Sequence, residues 1–350
     1  MATERDRSRC SASLHSLADA ALDADALRHE AVALLQRTIG FDRWCWPLAD
    51  PEALIPLSGL AQHDYGPSVP RVLELEFSGA DVAAMDDVAR RRSPVGALSR
   101  ETGGDLARSL RWDEVLRRLG IGDEAVLACR DRLGCWGWLK AYRDRSDRAF
   151  SPDELVLLAD VAAALGRGLR RAHGRTASAL PLASTSAGVV ALDDRLAPVS
   201  TTAAAREWMS ALPGAAVYAA FGMLPAMVYP VAMKARRGEV ARVLERTVEG
   251  RWVLIEAATL DGAGADSVAV TFRNPTPAET FDRLARIYGL TSRERDIVAV
   301  VAAGHDTAAM SARLSISPLT VQDHLKAIFD KTGVRSRAAL ASRFASLAGR

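Results

Sequence analysis

The side chains best spaced for chemistry lie close to the C-terminus. Between Pro318 and Lys331, the residues Gln322, Asp323 and Lys326 fall on one side of a helical pattern, with Asp330 a turn further on. Val321, Leu325, Ile328 and Phe329 recur at i, i+4, i+7 and i+8 as an apolar stripe. An amide, a carboxylate and an ammonium along one exposed face suit the edges of base pairs. Glutamine pairs with adenine, aspartate accepts from cytosine N4, and lysine reaches guanine or a phosphate. Thr320, His324, Lys331, Arg335 and Arg337 are spaced to touch phosphates. Ser317 and Val321, at the start of the same helix, are counted with them.

Such a face needs a frame, and the neighbouring residues supply its signals. Leu290-Thr291-Ser292-Arg293-Glu294 reads as a capping box opening a helix that Gly304 ends. Asp306 caps a second short helix over about Thr307–Leu314. Ser315-Ile316-Ser317 is a tight turn. Ser317 then caps a third helix with Pro318 at its first position, and Gly333 closes it. Ser336 caps a fourth, with Leu340, Phe344 and Leu347 inward. A short helix, a three-residue turn and a longer helix with a polar outer face make a helix-turn-helix, whose second helix fits a major groove.

The ordered run Leu290-Thr291-x-Arg293-Glu294, Gly304, then Leu314-x-Ile316-Ser317-Pro318-x-Thr320-Val321-x-x-His324-Leu325-x-x-Ile328-Phe329-x-Lys331-x-Gly333-Val334-Arg335-Ser336-Arg337 resembles the LuxR-type DNA-binding domain of bacterial transcription regulators. The likeness covers residues 286–350. It implies that Gln322, Asp323 and Lys326 occupy the base-facing positions. The chain departs from the family pattern at Leu319, where a charged or polar residue is usual, around Asp306–Ser311, and at Gln322, where many members have Lys. These departures imply modest affinity of one domain, with pairing of subunits correspondingly important.

The charge distribution points the same way. The 350 residues carry 45 Lys+Arg against 43 Asp+Glu, a net of +2. From Thr291 onward there are nine basic and five acidic residues, a net of +4, and the rest of the chain carries −2. A basic unit thus follows a slightly acidic body. The 49% apolar and 25% charged composition is that of a globular protein and excludes wholesale disorder.

The body reads as two α+β units in a multidomain chain. Residues 1–13 are expected to be a flexible tail, and Leu14–Arg37 a helix. Strands are expected at Arg43–Leu48, Val72–Phe77, Ala125–Arg130 and Cys135–Tyr142, with Trp136 and Trp138 on one face of the last. Ser151-Pro152-Asp153-Glu154 starts a closing helix. Gly103–Trp112, Leu119–Glu124 and Trp136–Glu154 resemble the sensor half of actinobacterial LuxR-type regulators, which is similar to a GAF domain, over residues 14–173. Residues 174–186 read as a linker. Residues 187–273 resemble, more loosely, a PAS domain, with strands at Gly188–Leu192, Arg195–Ser200, Ala241–Glu249, Arg251–Leu260 and Ser267–Arg273 and a helix at Ala203–Met209. Asn274-Pro275-Thr276-Pro277 opens a second linker, 274–285, before the four-helix domain at 286–350.

Other chemistries find no support. Cys10, Cys45, Cys129 and Cys135 form no C-x-x-C pair and no disulfide framework, which suits a reducing cytoplasm. The six histidines are scattered, so no metal site is expected. No G-x-x-x-x-G-K-[ST] is present, and His63-Asp64 lacks a nucleophile in a G-x-S-x-G setting. No secretory signal is expected at the N-terminus. Trp208–Met233 has no charge for 26 residues, but its prolines and glycines favour a buried, kinked connector over a membrane span. Five tryptophans (Trp44, Trp46, Trp112, Trp136, Trp138) could line a ligand pocket, yet aromatic core filling is the favoured reading. The expectation is therefore a cytoplasmic, non-enzymatic transcription regulator without a cofactor. It would bind double-stranded DNA as a homodimer, with a small-molecule ligand in the GAF-like unit and RNA polymerase as conceivable partners. The alternative is an interaction scaffold whose tail binds a protein.

Overall fold

A computed structural model describes residues 3–62, 65–176, 186–261 and 266–344. Helix α1 spans Glu4–Asp19 and α2 spans Ala24–Ile39. This corrects the expectation of a flexible tail and a single helix over Leu14–Arg37. Thr3 and Asp6 form a reciprocal capping box that starts α1 early, and Cys10, Leu14 and Ala18 bury one stripe of it. Asp23 then caps α2 by accepting from Ala26 N at 2.8 Å.

The first sheet is formed by β1 (Arg43–Asp50), β2 (Ile55–Ala61), β3 (Val95–Ala97), β4 (Ile121–Asp131) and β5 (Gly134–Asp144). All pairings are antiparallel, in the order β2-β1-β5-β4-β3. Between β2 and β4 lie α3 (Val69–Glu76), α4 (Met85–Arg90) and the single turn α5 (Leu98–Glu101). The expected strand at Val72–Phe77 is thus helical. Pro70 stands in the first turn, and Val69, Val72 and Leu75 share a buried face. Short apolar runs fit both periods, and here the helical one wins. After β5, α6 runs from Pro152 to Thr176. With α1 and α2 it covers one face of the sheet, while α3 and α4 lie on the other. Gly166 admits α6 close to β4, since a Cβ there would stand 2.6 Å from the Arg130 carbonyl carbon.

Trp136 and Trp138 do not share a face. The register moves from Cys129↔Gly137 to Arg130↔Cys135, so a β-bulge inserts one residue at Trp136. Trp136 then buries itself with Leu165 and Leu169 under α6, whereas Trp138 packs with Phe77, Met85 and Val88 on the far side. An extra residue reverses the alternation that two-residue periodicity assumes. Both rings are fully buried, which agrees with core filling. On the α3 side lies a buried ion network. Arg111 reaches Glu124 at 2.6 Å, Glu76 at 3.0 Å and Asp81 at 3.4 Å, and Lys140 reaches Glu76 at 2.7 Å and Glu124 at 2.9 Å. Each charge is offset by partners, as burial requires.

The second sheet repeats the first in plan. It contains β6 (Gly188–Leu192), β7 (Pro198–Thr201), β8 (Arg242–Arg246), β9 (Trp252–Thr259) and β10 (Val268–Arg273). Its order, β7-β6-β10-β9-β8, is that of the first sheet shifted by five, again wholly antiparallel. The strands at both hairpins are shorter than expected: Asp193 Oδ1 accepts from Arg195 N and Ala197 N in one turn, and Thr247 Oγ1 accepts from Arg251 N in the other. Helices α7 (Ala203–Ser210), α8 (Ala215–Ala220) and α9 (Val228–Arg236) fill the inserted segment. Gly214 and Gly222, at φ 75° and 69°, break the uncharged run before it can form one long helix. Among the described residues no helix is long and apolar enough to cross a membrane. The core of this unit also takes Ala53, Ile55 and Leu57 from the first.

Helix α10 (Pro277–Tyr288) replaces most of the expected second linker. The Pro-rich entry does not stop structure: Thr276 and Glu279 form a capping box, with Pro277 at the first position. The first linker, beyond Thr176, His63-Asp64 and Leu347 lie outside the described residues.

Three units meet around α10. Arg283 donates to Asp50 at 3.0 Å, and both are buried. The Tyr288 hydroxyl donates to the Gly174 carbonyl at 2.8 Å, and Arg170 donates to the Ile287 carbonyl at 2.8 Å. His173 packs on Trp136 with ring centroids 6.0 Å apart. Burial, and then the positive charges of Arg283, Arg28 and Arg246, push its pKa down to about 3. The folded protein therefore keeps His173 neutral while the unfolded chain takes up a proton near pH 6.5. Stability should fall as the pH drops from about 6.5 towards 3, by at most about 1.4 kcal/mol per pH unit from this group. Urea unfolding at pH 7.5 and 5.5 should show a smaller difference for His173→Phe than for the wild type. Equal differences would refute the assignment.

Candidate nucleic-acid interface

The last unit contains α11 (Ser292–Ala302), α12 (Thr307–Leu314), α13 (Pro318–Thr332) and α14 (Arg337–Arg343). Each start follows a side-chain cap. Thr291 Oγ1 accepts from Glu294 N at 3.3 Å, and Glu294 Oε2 accepts from Thr291 N at 2.6 Å. Asp306 accepts from Ala309 N at 2.8 Å, Ser317 from Thr320 N and Ser336 from Ala339 N, both at 3.1 Å. Each such cap contributes about 1 kcal/mol. Ser315 takes the left-handed conformation, φ 52° and ψ 47°, and turns the chain between α12 and α13. Arg293 donates to the Leu314 carbonyl and pins that turn to α11.

Helix α13 buries Val321, Leu325 and Ile328 against Ile297, Val298, Val301, Met310, Leu340 and Phe344. Phe329 is half-buried at the edge. The opposite side carries Gln322, Asp323, Lys326 and Asp330, all exposed. These are three kinds of hydrogen-bonding group on a single rigid face. The two residues ahead of them, Ser317 and Thr320, are tied together by a 2.9 Å contact between hydroxyl oxygens. His324 is half-buried and Arg335 exposed just beyond Gly333.

Three of the expected contact residues are placed otherwise. Val321 is 0% exposed, so it is corrected to a packing residue that seats the helix. Lys331 lies on the flank and gives its ammonium to both Glu294 oxygens, at 2.6 and 2.7 Å. Arg337 bonds Thr307 Oγ1 at 3.0 Å and Met310 sulfur at 3.4 Å, joining α14 to α12. Burial alone would raise the Glu294 pKa, but Lys331 and the Thr291 backbone N–H outweigh it and hold the carboxyl below its ordinary value. Glu294 thus opens α11 and anchors α13 at once. Spacing gave no sign of this second role, since Lys331 follows it by 37 residues.

The geometry is that of a helix-turn-helix, with α12 and α13 as its two helices and α13 as the exposed one. Residues 289–344 match the family of bacterial regulatory proteins of the luxR family, GerE. The C-terminal unit is therefore a LuxR-type helix-turn-helix domain. Over 117 residues the chain is 32% identical to the protein described as "Probable transcriptional regulatory protein NarL" from Mycobacterium tuberculosis, in the CDC 1551 / Oshkosh and ATCC 25618 / H37Rv strains alike. That match takes in 33% of this chain, which spans about half (51%) the length of these curated relatives. A solved structure titled "SdiA in complex with octanoyl-rac-glycerol" aligns over 99% of this chain and 96% of its own, at 12% identity and a TM-score of 0.37.

Removing the double anchor should loosen this domain. Glu294→Ala is expected to destabilise it by about 1–3 kcal/mol, the range for a lost cap plus a lost buried partner. Glu294→Gln, which can still reach Thr291 N, should cost clearly less. Thermal unfolding of both variants checks this, and equal losses would show that the capping half contributes nothing.

Proposed function

We propose that the protein is a sequence-specific, DNA-binding transcription regulator of the one-component type. In this reading α13 lies in a major groove. Gln322, Asp323 and Lys326 read base edges, and Ser317, Thr320, His324 and Arg335 lie towards the backbone. The observation that carries it is the sidedness of α13: polar base-matching groups outward, the whole apolar stripe buried. The net charge of +4 from Thr291 onward supplies the non-specific attraction. Two copies bound to a two-fold operator would double the few phosphate contacts of one domain. RNA polymerase is the partner such a regulator would act upon, and the cytoplasm is where it would do so.

The front of the chain, 14–173 and 187–273, is read as a GAF-like and a PAS-like unit that modulate the DNA-binding end. The shared strand order of the two sheets supports a common ancestry of design, and a cavity supports a ligand. About 130 Å³ of space lies between β1, β2 and α3, roofed by Tyr218 and Ala226 of the second unit. Leu57, Leu60, Val72 and Leu73 make its walls mainly apolar, and Glu76 and Lys140 of the ion network also line it. No tryptophan lines it. A small, mainly apolar molecule with a polar group fits this description. Because its roof belongs to the second unit, occupancy would bear on how the units sit together.

Two experiments bear on these readings. In gel shifts on its own upstream DNA, the full chain should form a specific complex whose affinity falls steeply with salt. The Gln322→Ala/Lys326→Ala double variant should bind at least about ten-fold more weakly, given roughly 1–3 kcal/mol per base contact. Unchanged binding would remove α13 from the interface, and a salt-insensitive tail that captures a protein would favour the scaffold reading. In thermal shifts with metabolite pools, a true ligand should raise the Tm of the wild type. It should not do so for Leu73→Trp, which fills the cavity, and an equal rise in both would place the ligand elsewhere.

A further inference from the structure

The outer face of α13 contains one residue that the base-pairing argument leaves unused. Leu319 stands in the first turn, directly after Pro318, and is 68% exposed. Among the described residues of the C-terminal domain it is the one large apolar side chain that is exposed. Its position is the point. Leu319, Gln322, Asp323 and Lys326 fall at i, i+3, i+4 and i+7, so the leucine begins the same stripe as the three polar groups. The buried stripe of Val321, Leu325 and Ile328 lies on the opposite side. Around Leu319 the chain offers nothing to cover it, for Ser315, Ser317 and Pro318 are themselves exposed.

We propose that Leu319 is a specificity-determining residue that recognises the 5-methyl group of a thymine in each half-site. The proposal rests on the DNA-binding reading above. In the major groove the thymine methyl is the one apolar feature of a base-pair edge, and aliphatic side chains read it by contact. A leucine can neither donate nor accept, so it distinguishes T·A from C·G by that methyl alone. The spacing sets where the thymine falls. Leu319 precedes Gln322 by about 4.5 Å along the helix axis and Lys326 by about 10.5 Å. Helix positions three to four apart meet neighbouring base pairs in the groove, so the thymine adjoins the pair that Gln322 reads, on the side away from the Lys326 contact. The polar residue usual at this place in the family pattern would have no use for a methyl.

The test uses the full chain and randomised duplex DNA. Selection should enrich one thymine at that offset in each half-site. Replacing it by deoxyuridine removes only the methyl and should weaken binding about four-fold, the effect of withdrawing one methyl from an apolar contact. Replacing the T·A pair by 5-methylcytosine·G should bind better than C·G, because the methyl returns. Leu319→Ala, at an exposed site, should fold normally and bind the thymine and uridine duplexes equally. A uridine penalty that survives in Leu319→Ala, or no penalty in the wild type, would overturn the assignment while leaving the DNA reading intact. A wild-type chain that selects no sequence would overturn both.

Discussion

One carboxylate holds the three parts of the chain in register. Asp50, at the end of β1, accepts from Glu52 N and Ala53 N with one oxygen and so shapes the turn into β2. Its other oxygen takes Arg283 of α10 at 3.0 Å and stands 3.5 Å from Leu244 N on β8. First sheet, second sheet and the helix leading to the DNA-binding domain therefore share a single buried anion. A buried charge that loses its partner costs several kcal/mol, so none of the three can withdraw without the others taking note. Tyr288 extends the chain of contacts. It donates to Gly174 at the end of α6 and accepts from Arg343 of α14 at 3.0 Å.

The two front sheets are variations on one plan with different interiors. Both run 2-1-5-4-3 in their own numbering and both are antiparallel throughout. The first sheet hides five charges in a closed network on one side. The second surrounds Trp208, Val231, Ile255, Val270 and Phe272 with an apolar core. Apolar packing tolerates adjustment, whereas an ion network holds few geometries. The more demanding interior is the one that borders the cavity, where Glu76 and Lys140 belong to both.

Much of this was legible in the residues, for identifiable reasons. Caps are local chemistry, and every expected cap of the last domain is present, from Thr291 to Ser336. The inward and outward stripes of α13 follow from a period of 3.6. What escaped depended on distance or on exceptions to period. The bulge at Trp136 leaves no mark in composition, yet it exchanges the faces of two tryptophans. The Thr3-Asp6 and Thr276-Glu279 boxes are visible signals, but the first lies in a stretch read as a tail and the second among prolines read as a linker. Val321 counts as an interface residue by its neighbours and as a core residue by its phase, and phase prevailed. The Glu294–Lys331 pair needs the fold before the two residues are neighbours at all.

The placing of Ala53, Ile55 and Leu57 in the core of the second unit has a consequence for inheritance. The stretch after Asp50 belongs by sequence to one sheet and by packing to the other. Recombination that swapped either front unit for a foreign counterpart would leave a hydrophobic scar on both products. The C-terminal helices fill their own core from residues 284 to 344, but α10 also places Ile287 in the first unit's core and Arg283 on Asp50. Gene shuffling that moved the C-terminal helices would have to carry α10 with them and give up its buried contacts to the body, while the two front sheets must travel, and diversify, as a linked pair.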